Sequence, residues 1–198
     1  METLQRGLVS AVVLAALESS GNALAQQPTD CSSDPIPDRA LDLSIGSEKV
    51  PALPSISLRK ISEMSFGDEH YEQYAISVQD KEMFASIEAG FSVIVPKDEQ
   101  PDGKTFRKLP TADTRAQPGP WQGLPEVQSW GVKHKARDLN VSHVGFIASL
   151  RAEFDQRRGD VLPGRVYLCI PGGQTHKMFG TKLPEPITLV GRFDARIE

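Results

Sequence analysis

The side chains best placed for chemistry stand at alternate positions just before an apolar run. Asp68, His70 and Glu72 would point to the same side of the chain if this stretch is extended. Two carboxylates and an imidazole could together ligate a divalent metal ion. Three residues of one strand cannot close a metal site alone, however, and no second metal-binding motif accompanies them. We therefore expect a solvated strand end and no bound metal.

A second group of candidates lies in the longest irregular stretch, residues 96–125, which contains six prolines and three glycines. Proline cannot donate to a strand ladder, and a loop this long is usually functional or disordered. Trp121 could stack there on a sugar ring or a partner side chain, and Arg107 and Lys108 add positive charge. Alternatively, the Trp anchors its loop on the sheet. These three residues are the predicted ligand-binding residues, and the partner would be a protein or a glycan.

Recognisable motifs for catalysis or cofactor binding are missing from the sequence. The four histidines show no His-Glu-x-x-His spacing. Gly90-Phe91-Ser92 lacks the second glycine of a nucleophile elbow and lies inside a predicted strand. Arg158-Gly159-Asp160 is the tripeptide that integrin ligands use, and it falls in a predicted hairpin loop, but a tripeptide match arises easily by chance. We predict no cofactor, and enzyme activity is the less favoured alternative.

The chain has two cysteines, Cys31 and Cys169. In an oxidising compartment such a pair most simply forms one disulfide. The bond would close a long loop and stabilise the fold by about 4–5 kcal/mol in the chain-entropy model. The alternative is two unrelated thiols, one buried and one on an N-terminal tail.

Residues 1–25 have the layout of a secretory signal peptide. Arg6 precedes a short apolar run, and the small-x-small triplet Ala23-Leu24-Ala25 places the cleavage site after Ala25. The run is shorter than the roughly 20 apolar residues that a membrane-spanning helix needs. The alternative is an N-terminal helix of the fold, but its apolar side chains surround the whole circumference instead of forming one stripe. We expect a secreted or periplasmic protein without a membrane span.

The elements that must position these groups are strands. Apolar residues alternate with polar ones, as in half-buried strands, over 41–45, 56–58, 74–78, 85–95, 144–154, 166–170 and 187–197. Such alternation is typical of antiparallel sheets with one wet face. It predicts an all-β fold, an antiparallel β-sandwich or alternatively a closed β-barrel, of about seven to nine strands. A polar, Pro-rich tail over 26–38 would precede a single β domain over 39–198.

The net charge of the chain disfavours one class of function, nucleic-acid binding. The formal net charge is −4, which disfavours nucleic-acid binding because that function needs a basic patch. The leading hypothesis is an exported, non-enzymatic β domain for binding or assembly at the cell surface or envelope. A barrel for a small apolar ligand is the second hypothesis, and an extracytoplasmic hydrolase is the third. The sequence identifies neither ligand nor partner.

The signal peptide gives a direct prediction. N-terminal sequencing of the protein recovered from its natural host should begin at Gln26, because signal peptidase cleaves after a small-x-small triplet. Recovery of the chain from the cytosol with Met1 or Glu2 at its N-terminus would contradict export.

Overall fold

The computed structural model describes residues 36–51, 53–81, 85–108, 127–142, 148–172 and 185–198. The predicted signal peptide, most of the predicted tail, Cys31 and Trp121 lie outside these ranges. So does the part of the predicted irregular stretch that follows Lys108.

The described residues are almost entirely β-strand, so the predicted all-β class is confirmed. The strands are β1 (Asp42–Ile45), β2 (Glu48–Lys49), β3 (Ser55–Phe66), β4 (Glu69–Gln79), β5 (Ile87–Pro96), β6 (Thr105–Lys108), β7 (Val127–His134), β8 (Leu139–Ser142), β9 (Ser149–Phe154), β10 (Val161–Ile170) and β11 (Ile187–Ile197). A turn of 3₁₀-helix, Lys135–Arg137, joins β7 to β8. Strands β2, β6 and β8 hold too few residues to show alternation, and a register shift in the pairing of β5 with β7 interrupts it in β7, so the sequence predicted fewer strands.

All the strands belong to one mixed sheet with the order β6-β9-β10-β11-β3-β4-β5-β7-β8. Strand β1 pairs with β11, and β2 pairs with β1. Every strand pair is antiparallel except β11 with β3, which is parallel and short. Within the described ranges β6 does not pair with β8, so the sheet is open and not a closed barrel. A division into the two sheets of a sandwich stays a prediction.

The core lies on one face of this sheet, where the alternating apolar side chains of all the long strands meet. Three phenylalanines of different strands form its aromatic part. Phe154 contacts Phe106 and Phe193 edge to face, with both pairs of ring centroids 5.7 Å apart. Gly164 of β10 lies directly between Phe154 and Phe193. A side chain at Gly164 would collide with the Phe193 ring, so the glycine makes room for the aromatic contact.

A short segment before β1, residues 36–40, packs against the opposite face of β10 and β11. Ile36 is buried there with Tyr167, Cys169 and Val190. The N–H of Arg192 donates to the carbonyl of Arg39 over 2.8 Å. The sequence predicted a tail up to residue 38 and a solvated outer face on β11. The structure differs because this segment covers Val190.

Gly191 allows the segment to come this close. Its φ is +135°, a backbone conformation that other residues rarely adopt, and a Cβ there would lie 2.5 Å from the carbonyl oxygen of Ala40. The side chain of Arg192 donates a hydrogen bond to Asp38 at the exposed border of the same contact.

Neighbouring residues of β11 should respond very differently to truncation. Phe193 is 4% exposed, and Phe193→Ala should lower the free energy of unfolding by about 3–5 kcal/mol. Arg192 faces the other way with its side chain 61% exposed, so Arg192→Ala should leave the denaturant midpoint nearly unchanged. Denaturant melts of both variants test the register. Equal losses would contradict it.

Candidate functional site

A shallow groove crosses the face of the sheet opposite the core. Its floor is a row of small residues, Ser57, Ser77, Gly90 and Gly131, which are register partners on the neighbouring strands β3, β4, β5 and β7. Because directly paired residues share a face, their missing or short side chains leave one continuous hollow. We call this hollow the outer groove.

Backbone packing explains why one of the floor residues is a glycine. A Cβ at Gly90 would lie 2.5 Å from the carbonyl oxygen of Ile76, so the backbone approach itself requires glycine at this position. The alternating neighbours Ile76, Phe91 and Val132 point into the core and are at most 2% exposed. The same strands therefore fill the core and leave the outer groove open.

The rim of the outer groove is polar and of mixed charge. Arg59, Glu88, Lys133 and Asn140 surround a hollow of about 280 Å³ over β4, β5 and β7. A second hollow of about 640 Å³ continues it over the junction of β3 with β11. Arg59, Ser77 and Glu88 line both hollows, so they form one surface.

This second hollow adds serine, amide and charged side chains to the rim, namely Ser55, Ser57, Gln79, Asp194, Arg196 and Glu198. Some of these groups already hydrogen-bond within the sheet. The Gln79 amide donates to the Ser77 hydroxyl over 3.0 Å, and the Gln73 amide donates to the Ser92 hydroxyl over 2.8 Å. The outer groove therefore offers oriented hydrogen-bond donors and acceptors, together with apolar surface in its first hollow.

A network of charged and phenolic groups lies at the end of β3 and β4. The Tyr74 hydroxyl donates to Glu72 over 2.7 Å, and the Lys60 ammonium donates to Glu72 over 3.1 Å and to Glu63 over 2.8 Å. Glu72 is only 6% exposed, and these two donors compensate its burial.

Each group in this network is held in its ordinary charge state. Burial and the hydrogen bond to Glu72 raise the pKa of Tyr74 to about 12. The hydrogen bond from Tyr74, aided by Lys60, lowers the pKa of the Glu72 carboxyl. Hydrogen bonds to Glu63 and Glu72 raise the pKa of the Lys60 ammonium. A neutral-pH acid or base needs a pKa moved toward neutrality, and these shifts run the opposite way.

The structure does not bring Asp68, His70 and Glu72 together. Asp68 lies in the turn before β4, so the alternation of the strand does not apply to it. The Nδ1 atom of His70 is 2.8 Å from the Ser65 hydroxyl, whereas Glu72 is buried against Lys60 and Tyr74. The expected solvated strand end is therefore wrong for Glu72. In the described ranges no group of three or more His, Cys, Asp or Glu side chains could hold a metal.

Arg107 and Lys108 lie on strand β6, inside the stretch that the sequence predicted as irregular. Arg107 is exposed, whereas Lys108 is 6% exposed on the same side as the core residue Phe106. The two side chains point to opposite faces and do not form one cationic surface. The alternation of apolar residues did not predict this strand because one of its two inward positions is a lysine. Trp121 lies outside the described residues, so its role stays a prediction.

The ammonium group of Lys108 is buried on strand β6. Burial lowers the pKa of its ammonium group, and it forms no ion pair with the described residues. Strand β6 ends the described sheet path. An inward-pointing charge on an edge strand opposes pairing with a strand of another molecule.

Cys169 is 1% exposed on β10, in the cluster that contains Ile36. Ile36 follows Cys31 by five residues, and a chain of that length spans at most roughly 18 Å. Cys31 can therefore reach Cys169, which supports the predicted disulfide.

Comparison with known proteins gives no functional information: no family model, curated protein or solved structure matches this chain. Among the helices of the described residues, none has the length and apolar character required to span a membrane.

The buried ammonium predicts a stabilising substitution. Lys108→Met should raise the free energy of unfolding by about 1 kcal/mol at pH 7, because methionine fills the space without a desolvated charge. The lowered pKa of Lys108 means that the unfolded chain binds the proton more tightly than the folded one. Wild-type stability should therefore rise toward pH 10, and its deficit relative to Lys108→Met should shrink.

The matched control is Lys97→Met at an exposed position, which should give no pH-dependent gain. Denaturant melts at pH 7, 8.5 and 10 measure all three proteins. A loss of stability in Lys108→Met would contradict the cost assigned to burying this ammonium group.

The cysteine pair predicts one linked peptide. Non-reducing peptide mapping of the protein purified under oxidising conditions should recover Cys31 joined to Cys169, since Ile36, five residues after Cys31, packs in one cluster with Cys169. Quantitative alkylation of both thiols in the denatured, unreduced protein would refute the bond.

Proposed function

We propose that the protein is an exported, non-enzymatic β domain that binds a polar partner at the cell surface or envelope, and that the outer groove holds this partner. One observation carries the proposal. A continuous groove with a rim of polar and charged side chains lies on the outside of the sheet, whereas the strands beneath it are closely packed.

The packed core argues against a carrier of a small apolar molecule. Such a carrier needs an apolar cavity inside the sheet. Ala89 and Val93 are fully buried beneath the outer groove, and Phe91 is 2% exposed. The two hollows of the groove instead present Arg59, Glu88 and serine hydroxyls.

The titratable groups argue against a hydrolase. Acid–base catalysis requires a group whose pKa lies near the working pH and that reaches the substrate. The pKa shifts of Glu72, Tyr74 and Lys60 move away from neutrality. These three groups stabilise the pairing of β3 with β4, and none of the three is poised to transfer a proton at neutral pH.

The mixed rim indicates what kind of partner fits. Arg59 and Lys133 can bind acceptor oxygens, Glu88 can accept hydrogen bonds, and the Asn140 amide can do both. Their spacing across several strands suits an extended, hydrogen-bonding chain, such as a polypeptide segment or a glycan. A compact apolar molecule would leave these groups unpaired.

Filling the groove floor tests the proposal. Ser77→Trp places a large side chain in the middle of both hollows without touching the core. The matched control is Thr105→Trp, at an exposed position of β6 that does not line the groove. Each variant and the wild type would be used as bait against the extract of the exporting cell, with quantitative mass spectrometry.

A partner retained by the wild type and by Thr105→Trp should be reduced about tenfold or more with Ser77→Trp. Direct titration of that partner against the three purified proteins should give the same order. Equal capture by Ser77→Trp, or capture of nothing above background by the wild type, would overturn the proposal.

A further inference from the structure

The turn between β9 and β10 carries Arg158, Gly159 and Asp160 in a tight hairpin. The N–H of Arg158 donates to the carbonyl of Val161 over 2.8 Å, and the N–H of Val161 donates back over 3.2 Å. Gly159 and Asp160 are the two central residues, and the φ of Gly159 is +64°. A glycine in this position is the expected residue of a two-residue hairpin turn.

The base of the turn is held from three sides. The N–H of Asp155 donates to the carbonyl of Pro163, and the N–H of Ile197 on β11 donates to the carbonyl of Asp160. The guanidinium of Arg157 binds the carboxylate of Asp102 over 3.1 and 3.2 Å. The tip is therefore fixed in one conformation before it meets any partner, which lowers the entropic cost of binding.

The tip itself is open. Arg158, Gly159 and Asp160 are all exposed, and no atom lies within 4 Å of the place that a Cβ of Gly159 would take. Arg157 is bound to Asp102, but neither Arg158 nor Asp160 forms an ion pair with the described residues. Two opposite charges are thus presented on either side of a bare glycine.

We propose that this turn is a second binding site, for a receptor that combines a divalent cation with an acidic cleft. The Asp160 carboxylate would complete the coordination of the cation, which prefers oxygen ligands. The Arg158 guanidinium would bind carboxylates of the cleft in a forked geometry. Gly159 lets the receptor surface approach the backbone. The site is separate from the outer groove, which none of these three residues lines.

The probe is a purified integrin ectodomain that binds Arg-Gly-Asp peptides, since such receptors have this chemistry. The wild-type protein would be immobilised and titrated with the ectodomain in Mn²⁺ and in EDTA. The key variant is Asp160→Glu, which keeps the charge and lengthens the side chain by one methylene. The matched control is Asp68→Glu, an exposed carboxylate in the turn before β4 and outside the tripeptide.

The wild type should bind the ectodomain, and Asp160→Glu or EDTA should weaken binding about tenfold or more. Asp68→Glu should bind within about twofold of the wild type, as should Ser77→Trp, so failure of the groove proposal remains distinguishable. No wild-type binding at about 10 µM, or equal binding by Asp160→Glu, would overturn the inference. Superimposable thermal melts establish that the variants are folded.

Discussion

Strand β11 is paired along both edges, and this pairing decides how the rest of the sheet is arranged. One edge follows β10 over ten register pairs, from Val161↔Arg196 to Ile170↔Ile187. The other edge is divided, because β1 pairs near the start of β11 and β3 pairs near its end. Gly191 and the segment 36–40 occupy the interval between them. A shift of one residue in β11 would exchange its two faces and remove Phe193 from the core and Val190 from its cover.

The long strands could be predicted from sequence because one face of each is buried by many others. Alternation alone located β4, β5, β10 and β11, but it found only residues 56–58 of β3 and missed β7, where a register shift interrupts the pattern. It could not locate β6, where Lys108 takes an inward position, because period-two analysis reads a lysine as an outward residue. Burial of Val190 depends on residues 36–40, which are distant in sequence. Glu72 is buried because Tyr74 and Lys60 supply hydrogen bonds, and a hydropathy pattern contains no such information.

The outer groove could not be predicted from the sequence for a related reason. Its floor combines Ser57, Ser77, Gly90 and Gly131, which become neighbours only through the register of four strands. Small residues carry no chemical signature, so no spacing rule identifies them. The residues that did attract attention have other surroundings: Glu72 belongs to a structural network and Lys108 to a sheet edge. The Arg-Gly-Asp turn is the exception, since its predicted hairpin is present and open.

The divided edge of β11 also bears on how such a chain could be made and moved. In synthesis order β11 follows every strand that it joins, so β1 and β3 wait for a partner encoded more than a hundred residues later. Contacts of such long sequence separation form late and slowly. A chain threaded through a membrane pore from its N-terminus would therefore pass in an unfolded form. Strand pairing in the sheet would be completed only after β11, its last strand, had emerged on the far side.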